Sequence, residues 1–384
     1  MKKAFKAAGR CFSQKDGILV IAEIGTGHNG DICKAKELIA AAKESGADAV
    51  KFQIVYADEI LHPNTGFVDL PGGKIPLYER FKELECAPDF YAELAQYTKK
   101  VGLLFSASAF GLRSAEELRQ LNPAFIKIAS PELNHFPLLK KAASFHLPVI
   151  LSSGVSRLGD IENAFDCLEA AGLQPDNCAL LHCITAYPAP ETEYNTAVLH
   201  PLATFFNCAA GISDHSLDPA AVPIAGLLSG ACIIEKHICL SRKDSGLDDP
   251  VALEPSQFLR MTALLRALNG KTEDEVFAAA QEYGYSKAFL CSIIGTGEKR
   301  LAPAEKQNYG RTNRSLHYVT DLAAGSVLKE SDIAILRTEK TLRPGESPAL
   351  LPRFIGAVLQ QDVAGGEGAL FDDVIQKATA PGLF

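Results

Sequence analysis

Several side chains that could do chemistry stand at the ends of short apolar runs, where a charged group is costly unless it meets a partner or a ligand. His215 ends the run that contains Gly211–Ser213, and His237 ends Ala231–His237 (ACIIEKH). Two imidazoles at neighbouring run ends, with Glu23 and Asp248 as the nearest carboxylates, suit a first-row divalent ion. Only two nitrogen ligands would leave positions open for water and substrate, as in catalytic metal sites. Lys51 and Lys127 end two other runs, AVKFQ and FIKI. Together with the hydroxyls of Ser108, Ser130, Ser152 and Ser213 they describe a pocket for a small phosphorylated or carboxylated molecule. Gln53, Glu132, Thr185 and Tyr187 stand at the same kind of position.

Each of these residues also has a plainer role open to it. A single histidine at such a point is more often a hydrogen-bonded structural residue, and His182, directly after Leu180 and Leu181, is read that way. Cys183 has no evident base beside it and is read as a small buried thiol. Lys236 should point away from the face that His237 uses, so Lys236 and Glu235 are left out of the site.

For these residues to meet, the runs must be strands of one sheet. Eight occur: Ile18–Ile24, Ala49–Gln53, Leu103–Ser106, Phe125–Ile128, Pro148–Leu151, Ala179–His182, Gly211–Ser213 and Ala231–His237. None alternates cleanly between apolar and polar residues, which is the pattern of strands buried on both faces of a parallel sheet. Stretches with helical spacing lie between them. In one, Asp31 can cap a helix with Ala35, Leu38, Ile39 and Ala42 on one face; in another, Asp160 opens a helix with Ile161, Ala164, Phe165 and Leu168. Eight strand–helix units predict a (β/α)8 TIM barrel, whose active site forms at the C-terminal ends of the strands. A doubly wound open sheet is the other candidate, but no GxGxxG follows the first strand.

The pattern changes near residue 290. Residues 1–290 are read as the barrel and 291–310 as a linker, which includes most of the glycine-rich Gly295–Arg311. Residues 311–384 are read as a small β-rich domain with strands at Ser315–Val319 and Ile333–Arg337. Of the 384 residues, 47% are hydrophobic and 22% charged, as in ordinary globular proteins, and the net charge of -8 argues against a nucleic-acid surface. There is no apolar core of signal-peptide length at the start and no run long enough to span a membrane. The ten cysteines are scattered without a CxxC pair, which fits reduced thiols and a cytoplasmic location.

Seven segments, in order, carry a resemblance: Ala22–Asp31 (AEIGTGHNGD), Lys51–Gln53 (KFQ), Lys127–Glu132 (KIASPE), Leu151–Gly154 (LSSG), Leu181–Pro188 (LHCITAYP), Gly211–Ser216 (GISDHS) and Glu235–His237 (EKH). By these the chain resembles the sialic acid synthases, the N-acetylneuraminate synthase family with its legionaminate and pseudaminate relatives. From Asn313-Arg314-Ser315-Leu316 onward it is similar to the antifreeze-like (SAF, β-clip) domain of that family. The resemblance implies condensation of phosphoenolpyruvate with an N-acylated hexosamine, giving a nine-carbon 3-deoxy-2-keto sugar acid and phosphate. It implies phosphoenolpyruvate on Lys51, Ser108, Lys127, Ser130, Ser152 and Ser213, and Mn2+ or Mg2+ on His215 and His237. It implies that Gln53, Glu132, Tyr187 and Asp248 face the sugar and that Glu23 moves a proton or places water. It also implies a domain-swapped homodimer, in which the SAF domain of one subunit lends an arginine, here Arg337 or Arg343, to its partner's barrel.

Departures from the usual motif, at GTGHNG and at Thr185, leave the amino sugar undetermined. Two other readings stand beside this one. A related synthase acting on an aldose phosphate would need a second basic cluster, and a non-catalytic sugar-binding relative would tolerate loss of the lysines, Glu23 or the histidines.

Overall fold

The computed structural model describes residues 3–70 and 73–375. Its centre is a closed barrel of parallel strands β1 (Leu19–Gly25), β2 (Ala49–Ile54), β3 (Leu104–Ala109), β4 (Phe125–Ile128), β5 (Val149–Ser152), β6 (Cys178–Cys183), β7 (Ala209–Asp214) and β8 (Ile233–His237). Each pairs with the next, and β8 closes onto β1 with His237 opposite Glu23. These are the eight expected runs with shifted edges. β3 continues to Ala109 because β2 offers partners as far as Ile54, and β7 begins at Ala209 because β6 pairs with it from Ala179. Every residue of β1, β6, β7 and β8 is buried, which explains why the sequence does not alternate there.

Helices wrap the barrel. Asp31 caps Ile32–Glu44 by accepting from the amides of Cys33 and Lys34, and Ala35, Leu38, Ile39 and Ala42 face inward as their spacing predicts. Asp160 lies inside the helix Leu158–Ala170 rather than ahead of it, and its carboxylate accepts from the Arg157 amide at 2.8 Å.

An N-terminal hairpin that no apolar run announces pairs Phe5–Ala7 with Arg10–Phe12. Its apolar residues pack against Leu19, Ala49, Phe125, Ala179, Ala209 and Ile233, which open or nearly open their strands. The hairpin therefore plugs the barrel at the end opposite the strand C-termini. That leaves one open mouth.

The C-terminal domain pairs β9 (Arg314–Tyr318) with β10 (Ile333–Arg337), and β11 (Val358–Leu359) with β12 (Val374–Ile375), all antiparallel. It has a core of its own, with Leu316, Tyr318, Leu328, Phe354 and Leu359. The helix Lys287–Ile294 runs into the stretch read as linker, and the chain beyond this helix is tied to the barrel. Asn195 accepts from the amides of Thr296 and Gly297 at 2.7 and 2.8 Å, Lys299 Nζ donates to the Ser153 carbonyl at 3.0 Å, and Glu305 accepts from the Thr185 amide at 3.0 Å.

This path carries the domain onto the mouth of its own barrel. There Arg314, with no exposed side-chain surface, donates to Glu132 and to the carbonyls of Glu59 and Phe110. Asn134 exchanges two hydrogen bonds with the Arg314 backbone, at 2.8 and 3.1 Å. All ten cysteines are free. Among the described residues no helix is long and apolar enough to cross a membrane.

Candidate functional site

The barrel mouth holds a cavity of about 340 Å³, lined by all of the residues expected in the site except Glu132 and Arg343. Its floor is a buried array of charges. Glu23 stands opposite Lys51 across β1 and β2, and Lys51 Nζ lies 2.6 Å from Glu23 Oε2. Lys51 also donates to Ser108 Oγ at 3.1 Å, and Lys127 donates to Ser152 Oγ at 2.7 Å. Ser130 Oγ accepts from the Gly154 amide at 3.0 Å. A Cβ on Gly154 would fall 2.3 Å from Thr185 Oγ1 and 2.9 Å from Ser130 Oγ, so only glycine lets these loops meet.

Glu235, expected outside the site, belongs to this floor. It lies 3.7 Å from Lys127 and 3.9 Å from Lys51, and accepts from Ser213 Oγ at 3.0 Å. Strand alternation was the available signal, because residues two apart share a face and Glu235 therefore follows His237. Lys236 does turn away. Its ammonium is enclosed by Asp214 at 2.5 Å and the Ser216 and Asp218 carbonyls at 2.7 and 3.1 Å.

Electrostatics follow from this packing. Burial raises the Glu23 pKa to about 7 even with Lys51 beside it. Burial also works against the charge on Lys51, but Glu23 and Glu235 outweigh it and hold that pKa above the ordinary lysine value. For Lys127 burial wins, and its pKa falls. Two lysines already balanced by two carboxylates, with serine hydroxyls around them, are arranged to take up an anion without being left as bare buried charges in its absence.

The imidazoles of His215 and His237 lie 5.5 Å apart, and Tyr187 stacks on His215 at 4.3 Å. His215 Nδ1 sits 2.8 Å from the Ile184 carbonyl, which makes it the protonated nitrogen of the neutral ring and leaves Nε2, 3.3 Å from the Tyr187 hydroxyl, with the lone pair that accepts a hydrogen bond or binds a cation. Asp248 Oδ2 stands 3.7 Å from His237 Nδ1. Against the effect of burial, Cys183 helps to raise the His215 pKa to about 9, while burial and the neighbouring His215 push His237 well below the ordinary value. Two adjacent imidazoles cannot both carry a proton cheaply, and a cation could take that proton's place. Among the described residues no three His, Cys, Asp or Glu side chains form a ready-made metal cage. The donor set here is two nitrogens with a carboxylate near one of them, which fits an ion that keeps open positions.

Two expected sugar-facing residues are placed differently. Glu132 does not line the cavity. The short turn Ser130–Glu132 after β4 sends Ser130 into the pocket and Glu132 into the domain interface, where Oε1 accepts from Arg337 at 2.7 and 2.9 Å and from Arg314 Nε at 3.2 Å. Arg337, at the end of β10, lines the cavity above it. Arg343 turns back into its own domain, bound to Asp373 at 2.6 Å and the Gly368 carbonyl at 2.7 Å. In this chain Arg337 lies over the mouth of the barrel that the same chain supplies. His182 is bonded to the Tyr194 carbonyl at 2.6 Å, and Cys183 lies 3.8 Å from His215 Nδ1. Asn308, Thr312, Glu339 and Lys340 also line the mouth. They lie on irregular chain far from the barrel motifs, and nothing in their spacing announces them.

The chain matches the model of the NeuB family over residues 38–276 and that of the SAF domain over residues 313–375. It is 31% identical to the spore coat polysaccharide biosynthesis protein SpsE of Bacillus subtilis, over 97% of this chain and 98% of that protein. The crystal structure of that protein superposes with a TM-score of 0.80 at 28% identity, covering 98% of this chain and 100% of the other. The N,N'-diacetyllegionaminic acid synthase of Legionella pneumophila is 29% identical over 92% of this chain and 94% of its own length. The N-acetylneuraminate-9-phosphate synthase of Drosophila melanogaster is 32% identical over 94% of this chain and 96% of its own. Barrel, C-terminal domain and motif order agree, and the chain belongs to the NeuB family, the sialic acid synthases that its barrel motifs resemble.

Proposed function

We propose that the protein condenses phosphoenolpyruvate with the open-chain form of an N-acylated hexosamine, yielding a nine-carbon 3-deoxy-2-keto sugar acid and phosphate. One observation carries the reading: Lys51 and Lys127, both buried, converge with His215 and His237 on a single cavity of about 340 Å³. The named synthases among the relatives support it.

Phosphoenolpyruvate carries a phosphate and a carboxylate. Lys51, Lys127 and the hydroxyls of Ser108, Ser130, Ser152 and Ser213 supply the cations and donors that such a ligand needs. Tyr187, Gln53, Asp248 and Arg337 surround the remaining space and orient the sugar. His215 and His237 would hold a divalent ion, Mn2+ or Mg2+, which when bound supplies Lewis-acid polarisation of the aldehyde oxygen. The enol carbon attacks the aldehyde carbon and forms the new C–C bond as the C=O π pair moves onto oxygen, which takes up a proton to become a hydroxyl. Water adds to the resulting cationic C2, and the C–O bond to phosphate breaks to leave the ketone. Glu23, with a pKa of about 7, takes the proton from that water. Lys51 and Lys127 stabilise the charge on the departing phosphate. The free cysteines support a reducing compartment such as the cytoplasm.

The reaction is tested by incubating purified protein with phosphoenolpyruvate, Mn2+ and a panel of N-acylated hexosamines and measuring phosphate release. Release with at least one sugar is expected. A folded protein that releases none with any of them would sink the proposal.

A further inference from the structure

Two loops at the barrel mouth border the anion site. After β5, Ser152 Oγ accepts from Lys127, and the Gly154 amide donates to Ser130 Oγ. After β6, the chain passes through Cys183 to Thr185, which also lines the cavity. The first loop holds a strained residue. Val155, buried and β-branched, has a φ of 42°, in the left-handed region that such side chains avoid. A backbone of this kind persists only where its surroundings fix it.

Those surroundings come from the chain that leads to the C-terminal domain. Glu305 is 1% exposed and does not line the cavity, and its carboxylate accepts from the Thr185 amide at 3.0 Å. Burial raises its pKa, against the charge of Lys299 and hydrogen bonds from the backbone of Thr185, Val155 and Ala302. Around it, Lys299 Nζ donates to the Ser153 carbonyl at 3.0 Å, Asn313 Nδ2 to the Val155 carbonyl at 3.0 Å and Asn308 Nδ2 to the Thr185 carbonyl at 3.1 Å. Of these four side chains, Glu305 is the one that bonds to both loops. A carboxylate suits that place because it only accepts, and it takes several amides together.

We infer that Glu305 is a positioning residue for phosphoenolpyruvate, which from outside the cavity fixes the Thr185 loop and the strained turn at Val155 and so sets Ser152 and Ser130 on the anion. This rests on the synthase reading and adds to it a link between the anion site and the chain leading to the C-terminal domain. Loss of the grip lets the turn relax, and the donors leave the positions in which they meet phosphate and carboxylate oxygens together.

Glu305→Gln keeps the shape of the side chain but sets an NH2 group against backbone N–H groups. Its KM for phosphoenolpyruvate should rise about tenfold or more while that for the amino sugar moves less, because a misplacement of about 1 Å costs up to about a hundredfold. Asn195→Ala is the control. It frees the Thr296 and Gly297 amides at the start of the same segment and touches neither loop, so it should lower the melting temperature and leave KM for phosphoenolpyruvate unchanged. Asn313→Ala, which releases the Val155 carbonyl, repeats the measurement if the glutamine variant folds poorly. An unchanged KM for phosphoenolpyruvate in folded Glu305→Gln protein would overturn the inference, as would an equal rise in Asn195→Ala protein. Calorimetric titration with phosphoenolpyruvate alone separates the two readings. If the native protein binds it and no sugar releases phosphate, the synthase reading fails by itself, and weaker binding by Glu305→Gln still supports the positioning role while equal binding overturns it. Native protein that binds no phosphoenolpyruvate would overturn both.

Discussion

Replacing Glu235 by glutamine keeps the size and shape of the side chain and removes one charge from the site floor. In the native protein that carboxylate lies 3.7 Å from the Lys127 ammonium and 3.9 Å from that of Lys51. At an effective dielectric of about 20, each attraction is worth about 4 kcal/mol before desolvation is counted. Burial of the three groups offsets much of this, and removing one partner of a buried pair typically costs about 3–5 kcal/mol because the other charge is left behind. The variant should therefore melt lower, by roughly 6–10 °C at about 2 °C per kcal/mol for a chain of this size. Binding of phosphoenolpyruvate should change in the opposite sense, since the unpaired lysines gain from an anion. Its KM falls, and saturating phosphoenolpyruvate raises the melting temperature of the variant more than that of the native protein.

Acid supplies a check of sign. Against burial, Lys127 and Lys51 hold the folded-state pKa of Glu235 below its ordinary value. The stability it contributes is thus present above that ordinary value and is lost as the pH falls through the depressed one. The glutamine variant should lack that part of the acid dependence. Scanning fluorimetry with and without phosphoenolpyruvate reads all of this. An unchanged melting temperature together with a raised KM would refute the argument that Glu235 acts as the counter-charge of the two lysines.

The same geometry sets four other outcomes. With Glu23 at a pKa of about 7, kcat/KM should rise with pH through that value, and Glu23→Gln should lose activity by at least about a hundredfold together with that limb; a limb that persists in the variant belongs to another group. His215→Ala should abolish the response of activity to added Mn2+, and an unaltered response would remove His215 from the metal site. Lys236→Met should destabilise the fold by about 3–5 kcal/mol in denaturant titration, because Asp214 is left buried and unpaired, and a neutral result would show that the pair contributes nothing net. Mixing Lys127→Ala with Arg337→Ala protein should restore no activity, because the arginine and the barrel lie on one chain; recovery would show that the C-terminal domain closes a partner's barrel instead.

Much of this site could be read without coordinates, and the reason is topological. A parallel barrel has one end at which all its strands finish, so a polar residue at the end of any apolar run is brought to the same mouth. That is why Glu23, Lys51, Lys127, Ser213, His215 and His237, scattered over more than half the chain, lie together. The capped helices were legible for a related reason, since their signals span only a few residues, as with Asp31 ahead of Ala35 and Leu38.

The remainder depended on contacts between segments distant in sequence. Whether Glu132 meets the ligand or supports it is decided by Arg314 and Arg337, which arrive from another domain. Whether residues 295–312 are a loose tether or part of the rim is decided by Asn195, Glu193 and Thr185 on the barrel. The N-terminal hairpin is too short to announce itself and is held by the strand starts that it plugs. Local spacing determined the strands, their order and the residues at their ends, because those depend on neighbours in the chain. Which of these side chains face a ligand, and what closes over them, was left to the tertiary structure, because a charge buried between two domains takes its role from whichever partner reaches it.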